Sequence, residues 1–198
     1  DDAIASMETL PEPWFLYVPL NAAHSPVHVP PAELTTLKVA ADDPEPILFK
    51  AVVEAMDTEI GRLLDAMSPE MASRTTVVVM GDNGSPEFAI SPPRTVPQHK
   101  GTVYEGGTNV PLIVRAPYVS EPGRVSEAMV HAVDLFSSFI AIGGVQQENV
   151  TRTDLVTDEQ VSYPIDGISF LPHLADPRAP VAREYVYTER FYTNGEGP

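Results

Sequence analysis

The sequence predicts an α/β fold, a layered sandwich in which helices flank a mainly parallel sheet, and three observations carry that prediction. Short apolar runs at 14–20, 75–81, 111–116 and 184–188 read as strands. Between them, 47–67 places Ile47, Leu48, Val52, Met56, Ile60, Leu63, Leu64 and Met67 at the spacing of a helical stripe facing a sheet. Strand and helix segments alternate, which is the order of an α/β layer with parallel strands.

Each element has its own boundary signals. Pro46 fits the first turn of the long helix, and Ser68-Pro69 ends it. A second helix is predicted over 134–142, with Asp134 as its N-cap and Gly143-Gly144 as its stop. The stretches 29–46, 85–99 and 145–166 are proline-rich or polar and read as connections, in keeping with 21 prolines. No internal repeat is visible. At 198 residues the expectation is a single domain, 1–198, long enough to bury a core.

Charge and composition exclude several function classes. A formal net charge of −16 opposes nucleic-acid binding, which needs clustered Lys and Arg against phosphates. With only Lys38, Lys50 and Lys100 as lysines, an anionic substrate needs local positive charge from Lys100, a metal or Arg94. No apolar run reaches the roughly 20 residues of a membrane span, and no signal-type leader opens the chain. A soluble protein is therefore expected, without a membrane partner. The absence of cysteine removes disulfides and leaves cytoplasm and periplasm equally open.

The run Val77-Val78-Val79-Met80-Gly81-Asp82-Asn83-Gly84 is the most informative stretch of the chain. It reads as a buried strand that delivers two hard oxygen donors, Asp82 and Asn83, to the loop beyond its carboxyl end, where ligands of open α/β sheets sit. Asp-Asn-Gly is also ordinary turn chemistry. Two further segments strengthen the ligand reading. Upstream, Pro13-Trp14-Phe15-Leu16-Tyr17-Val18-Pro19-Leu20 is followed by Asn21-Ala22-Ala23-His24-Ser25-Pro26-Val27-His28; downstream lies His99-Lys100-Gly101-Thr102-Val103-Tyr104-Glu105-Gly106-Gly107 and then Thr108-Asn109-Val110-Pro111.

These three segments, in this order, resemble the later part of the catalytic domain of the formylglycine-dependent sulfatases, arylsulfatase-like members of the alkaline phosphatase-like superfamily. The likeness runs from about Pro13 to about Glu189 and takes in Ala55–Leu64, Val133-Asp134-Leu135-Phe136 and Pro164–Ser169. It implies that His24 contacts a sulfate ester, that Asp82 and Asn83 are metal ligands, and that Lys100 contacts both metal-site groups and sulfate. It also implies that 184–198 begins a small C-terminal subdomain. The family's early pair of metal-binding aspartates and its Cys/Ser-x-Pro-x-Arg nucleophile segment have no counterpart. Asp1-Asp2 follows no strand, Ser91-Pro92-Pro93-Arg94 has the wrong spacing and position, and there is no cysteine. The chain thus resembles a sulfatase domain without its first half.

The expected function is a metal-dependent hydrolase of small phosphate or sulfate esters, with metal-bound water as nucleophile, His24 as acid and Lys100 stabilising the anion. Catalytically silent association with a missing half, or anion and metal binding without turnover, are the alternatives. Asp82, Asn83 and His24 are the expected ligands of a divalent ion, Zn²⁺, Mn²⁺, Ca²⁺ or Mg²⁺, with the nitrogen donor favouring the softer two. His28 and His99 are additional candidates, although Pro26 and Pro30 oppose the helix that would pair His24 with His28. Glu105 is expected to satisfy buried backbone donors, and His131 and His173 to be structural. An uncovered sheet edge predicts a homodimer.

Overall fold

The computed structural model describes residues 1–95, 98–180 and 183–191. It divides into two compact units, Asp1–Val114 and Arg115–Pro198. Its helices are α1 (Asp2–Thr9), α2 (Glu45–Asp65), α3 (Pro69–Ala72), α4 (Glu105–Thr108), α5 (Asp134–Ile142) and α6 (Leu171–Ala175); its strands are β1 (Val77–Met80), β2 (Leu112–Arg115), β3 (Val150–Thr153) and β4 (Gln160–Tyr163).

The first unit is organised by α2. Pro46 lies in its first turn, where a missing N–H costs nothing. Leu48, Ala51, Val52 and Ala55 are buried at i, i+3, i+4 and i+7; of the predicted stripe Leu48 and Val52 are buried, Met56, Ile60, Leu63 and Leu64 are half-buried and Ile47 is exposed, so the buried face is narrower and includes two alanines. Phe49 meets Phe88 edge to face, with ring centroids 5.8 Å apart. On its polar side Glu54 accepts the Thr35 and Thr36 hydroxyls at 2.6 and 2.7 Å and the Thr36 N–H at 3.0 Å. These donors, the Thr35 hydroxyl first, hold the Glu54 carboxyl down to about 2. Ser68 both ends the α2 region and caps α3, its Oγ accepting the Met71 N–H.

The sheet differs from the expectation. Strands β1 and β2 form one two-stranded sheet and β3 and β4 another. Just past β1, Gly81 N–H donates to the Pro111 carbonyl and Gly84 N–H to the Gly107 carbonyl. The two segments therefore run in opposite directions, because their connection folds back on itself instead of crossing over. A mainly parallel layer is not present among the described residues. β1 is half-buried, not fully buried, since a two-stranded sheet offers it one neighbour.

Residues 14–20 belong to neither sheet. They keep the alternation of a strand, with Trp14, Leu16 and Val18 half-buried and Phe15 and Tyr17 exposed, but Pro13 and Pro19 lack N–H donors and bracket the run. The expected strand 184–188 is also absent: Tyr185, Val186 and Tyr187 are exposed, and the segment is held by Arg183 and by the Tyr187 carbonyl on His131. The rest of the expected subdomain start, 192–198, lies outside the described residues. A hairpin appears instead inside the stretch read as a connection. Its strands β3 and β4 pair antiparallel, Val150 opposite Tyr163, and Arg152 sits 4.4 Å above the Tyr163 ring.

In the second unit the helix predicted over 134–142 forms with those bounds and stops at Gly143. Asp134, expected as N-cap, is instead the first helical residue. Its buried carboxylate accepts the His131 and Ile168 N–H groups at 2.8 Å each and the Arg183 guanidinium at 2.5 and 3.1 Å. Ser138 extends the network, donating to the Asp134 carbonyl and accepting the Phe170 N–H. Gly167 is required here, because a Cβ would stand 2.3 Å from the Val133 carbonyl oxygen. His173 is buried, and its Nε2 has no partner among the described residues.

Burial pushes the Asp134 carboxyl up, but the Arg183 hydrogen bonds, the two N–H donors and the guanidinium charge outweigh it and hold the group below the ordinary aspartate range. Such a depressed carboxyl contributes stability above its unfolded pKa, near 3.9, and loses it as pH falls through the folded value. Asp134→Asn should remove about 3–5 kcal/mol near neutrality, the cost of stranding a buried partner, and should flatten the acid limb of stability below about pH 4. Urea unfolding across pH 2–7 reads both effects.

Candidate active site

The loop after β1 and the loop around His99 are distant in sequence and adjacent in space. Lys100 N–H donates to the Ser85 carbonyl at 2.8 Å, and Gly84 N–H donates to the Gly107 carbonyl at 3.0 Å. The approach requires side chains to be missing. A Cβ on Gly84 would stand 1.9 Å from the Gly106 carbonyl oxygen, one on Gly106 would stand 1.8 Å from the Gln98 carbonyl oxygen, and one on Gly107 would stand 2.3 Å from the Thr102 carbonyl oxygen. The Gly-Gly pair opposite Asp-Asn-Gly is thus a steric requirement of the contact.

The candidate residues sit on this frame as follows. Asp82 is exposed, its Oδ1 accepting the Asn83 N–H at 2.9 Å, and Asn83 is half-buried. His99 and Lys100 are half-buried, with His99 Nδ1 2.7 Å from the Lys100 carbonyl oxygen. His24 and His28 are exposed and turn back on their own loop, His24 Nδ1 to the Ser25 carbonyl at 2.8 Å and His28 Nδ1 to the Pro26 carbonyl at 3.3 Å. No hydrogen bond or ion pair links either histidine to Asp82, Asn83 or Lys100 among the described residues. Glu105 is exposed at the start of α4 and does not bury its carboxylate against backbone donors.

A cavity of about 360 Å³ opens beside Asn83, and Ser85, Ser91, Arg94, Gly106 and Asn109 help to line it. Asn109 carries no sequence signal of its own. Only the return of the 107–111 segment against 81–84 brings it there.

Asp82 and Asn83 fit two positions of a hard divalent cation, whose shell needs about six or more oxygens for Ca²⁺ or Mg²⁺. Among the described residues no group of three or more His, Asp or Glu side chains converges to complete it.

The family model described as "Sulfatase" matches residues 1–145, and the chain belongs to the sulfatase family. It is similar to a sulfatase of Formosa agariphila, 31% identical over 150 residues, which are 68% of this chain and 26% of that protein. It is also similar to N-acetylgalactosamine-6-sulfatase of Sus scrofa, 25% identical over 184 residues, which are 89% of this chain and 31% of that protein. Arylsulfatase K of Xenopus laevis is 30% identical over 110 residues, 54% of this chain and 19% of that protein. The chain spans about a fifth to a third of the length of these relatives. Among the described residues no helix is long and apolar enough to cross a membrane.

Two glycine substitutions should separate close approach from helix propensity. Gly106→Ala should destabilise the protein by about 1–3 kcal/mol or more, because backbone must move to admit the methyl group. Gly61→Ala, in α2 with nothing within 4 Å of its Cβ position, should stabilise by up to about 1 kcal/mol. Denaturant midpoints of the two variants measure the difference.

Proposed function

We propose that the chain forms the anion-holding part of a sulfate ester hydrolase. The observation that carries this reading is the pair of backbone bonds, Lys100 to Ser85 and Gly84 to Gly107, that seats the lysine loop against the Asp82-Asn83 loop. In this reading Asp82 and Asn83 hold a divalent cation, and Lys100 contacts the sulfuryl oxygens. A divalent ion, when bound, supplies positive charge opposite the developing anion and acidifies water. Lys100 adds a fixed cation whose contribution grows as charge accumulates on those oxygens. His24 protonates the leaving group, and His28 and His99 are further candidates for proton handling or metal contact. Residues 1–198 hold no cysteine, and Ser91-Pro92-Pro93-Arg94 lacks the nucleophile spacing, so acting alone they rely on water as the attacking group.

Sulfate release from 4-nitrophenyl sulfate tests the proposal. Asp82→Ala and exhaustive chelation should each abolish it, and His24→Ala should lower it by about 10²–10⁴-fold. Turnover that survives both chelation and Asp82→Ala would sink the metal-dependent route. Absence of turnover on any ester would leave the site as a binding part only.

A second reading, association, is favoured by exposed apolar side chains. Phe15, Tyr17 and Ile113 are 67%, 76% and 62% exposed, apolar surface of the kind that a partner covers. Further sulfatase polypeptide would cover it in a longer protein; the isolated chain is proposed to cover it with a second copy. Light scattering at micromolar concentration should therefore give a homodimer that Tyr17→Lys weakens. A strict monomer would show that the exposed face needs no partner.

A further inference from the structure

We propose that the cavity beside Asn83 is a subsite for a second anionic group of the substrate, read by Arg94; this rests on the sulfate ester reading above. In a chain with 28 acidic and 12 basic residues, the cavity is lined among the described residues by one cation and no carboxylate. Arg94 is exposed and makes no ion pair among the described residues. Its Cδ lies 3.2 Å from where a Cβ would stand on Gly106, so the side-chain stem packs against the bare glycine backbone, and Arg94 is one of the residues lining the cavity. The Arg94 N–H donates to the Ser91 carbonyl, which fixes the base of the side chain. Ser85, Ser91 and Asn109 add neutral donors, and Asn83 joins the cavity to the loop assigned to the cation.

A planar guanidinium without a carboxylate partner matches a carboxylate or a second sulfate by two parallel N–H donors. The volume, about 360 Å³, exceeds what a lone sulfate fills and admits a ring that carries the second anion. The substrate class is therefore a sulfate ester with an additional carboxylate or sulfate nearby, as on an acidic sugar or a substituted aryl group. Arg94 is a specificity residue in this scheme. It selects the ester without taking part in bond cleavage.

Calorimetric titration with phenyl sulfate, 4-carboxyphenyl sulfate and benzoate tests the subsite in wild type, Arg94→Ala and Arg94→Lys. Wild type should bind 4-carboxyphenyl sulfate about tenfold more tightly than phenyl sulfate. Arg94→Ala should erase that preference by weakening 4-carboxyphenyl sulfate about tenfold more than phenyl sulfate, and Arg94→Lys should restore only part of it. An equal affinity of wild type for the two esters, a preference that persists in Arg94→Ala, or no binding of any of the three would overturn the subsite. Benzoate binding that depends on Arg94 without any hydrolysis of phenyl sulfate would uphold the subsite and refute the hydrolase reading. Hydrolysis of phenyl sulfate without an Arg94-dependent preference would do the reverse.

Discussion

Three glycines that carry no side chain allow two loops, separate in sequence, to share backbone hydrogen bonds, and the candidate site depends on that approach. Gly84 packs on the carbonyl of Gly106, and Gly106 and Gly107 in turn lie against the carbonyls of Gln98 and Thr102. Any Cβ would push the loops apart by more than a side-chain rotation can absorb. The bonds from Lys100 to Ser85 and from Gly84 to Gly107 would be lost together. Asn83, Arg94 and Asn109 line one cavity only because this contact exists.

The second unit is held by a different device, a buried charge satisfied on every side. Asp134 accepts two backbone donors and both arms of Arg183, and Arg183 also donates to the Asp166 carbonyl. One carboxylate thereby fixes the start of α5, the chain at 166–168 and the segment at 183. Ser138 repeats the logic one turn later. Polar closure takes the place of apolar mass here, since Phe170 is the buried apolar residue of this unit among those described.

The first unit has an apolar core that is a single helix face, α2, joined by Met7. Its sheet is narrow, and the extended run through Phe15 and Tyr17 keeps a strand's alternation outside any ladder. A surface of this kind is a natural place for further polypeptide. The relatives it matches are about three times as long.

Local rules were sufficient wherever one stretch of chain decides its own conformation. The stripe from Ile47 to Met67, Pro46 in the first turn and the Gly143-Gly144 stop each name an element; α5 forms with the predicted bounds and α2 two residues earlier than predicted at both ends. Two of the four predicted strands, β1 and β2, also form, and the ordered motifs around His24, Asp82 and Lys100 were enough to point to the sulfatase family. What the sequence could not decide was pairing. Direction and partners of a strand depend on non-local hydrogen bonds, so a mainly parallel sheet was expected where β1 and β2 run antiparallel, and 14–20 and 184–188 look like strands without becoming ones. Asp134 shows the same limit in a side chain: its position beside a helix start suggests a cap, and only the return of Ile168 and Arg183 makes it the anchor of a unit. The neighbourhood of Asn83 likewise had to be folded to be seen, because Asn109 and Arg94 acquire meaning from backbone that glycine alone allows so close.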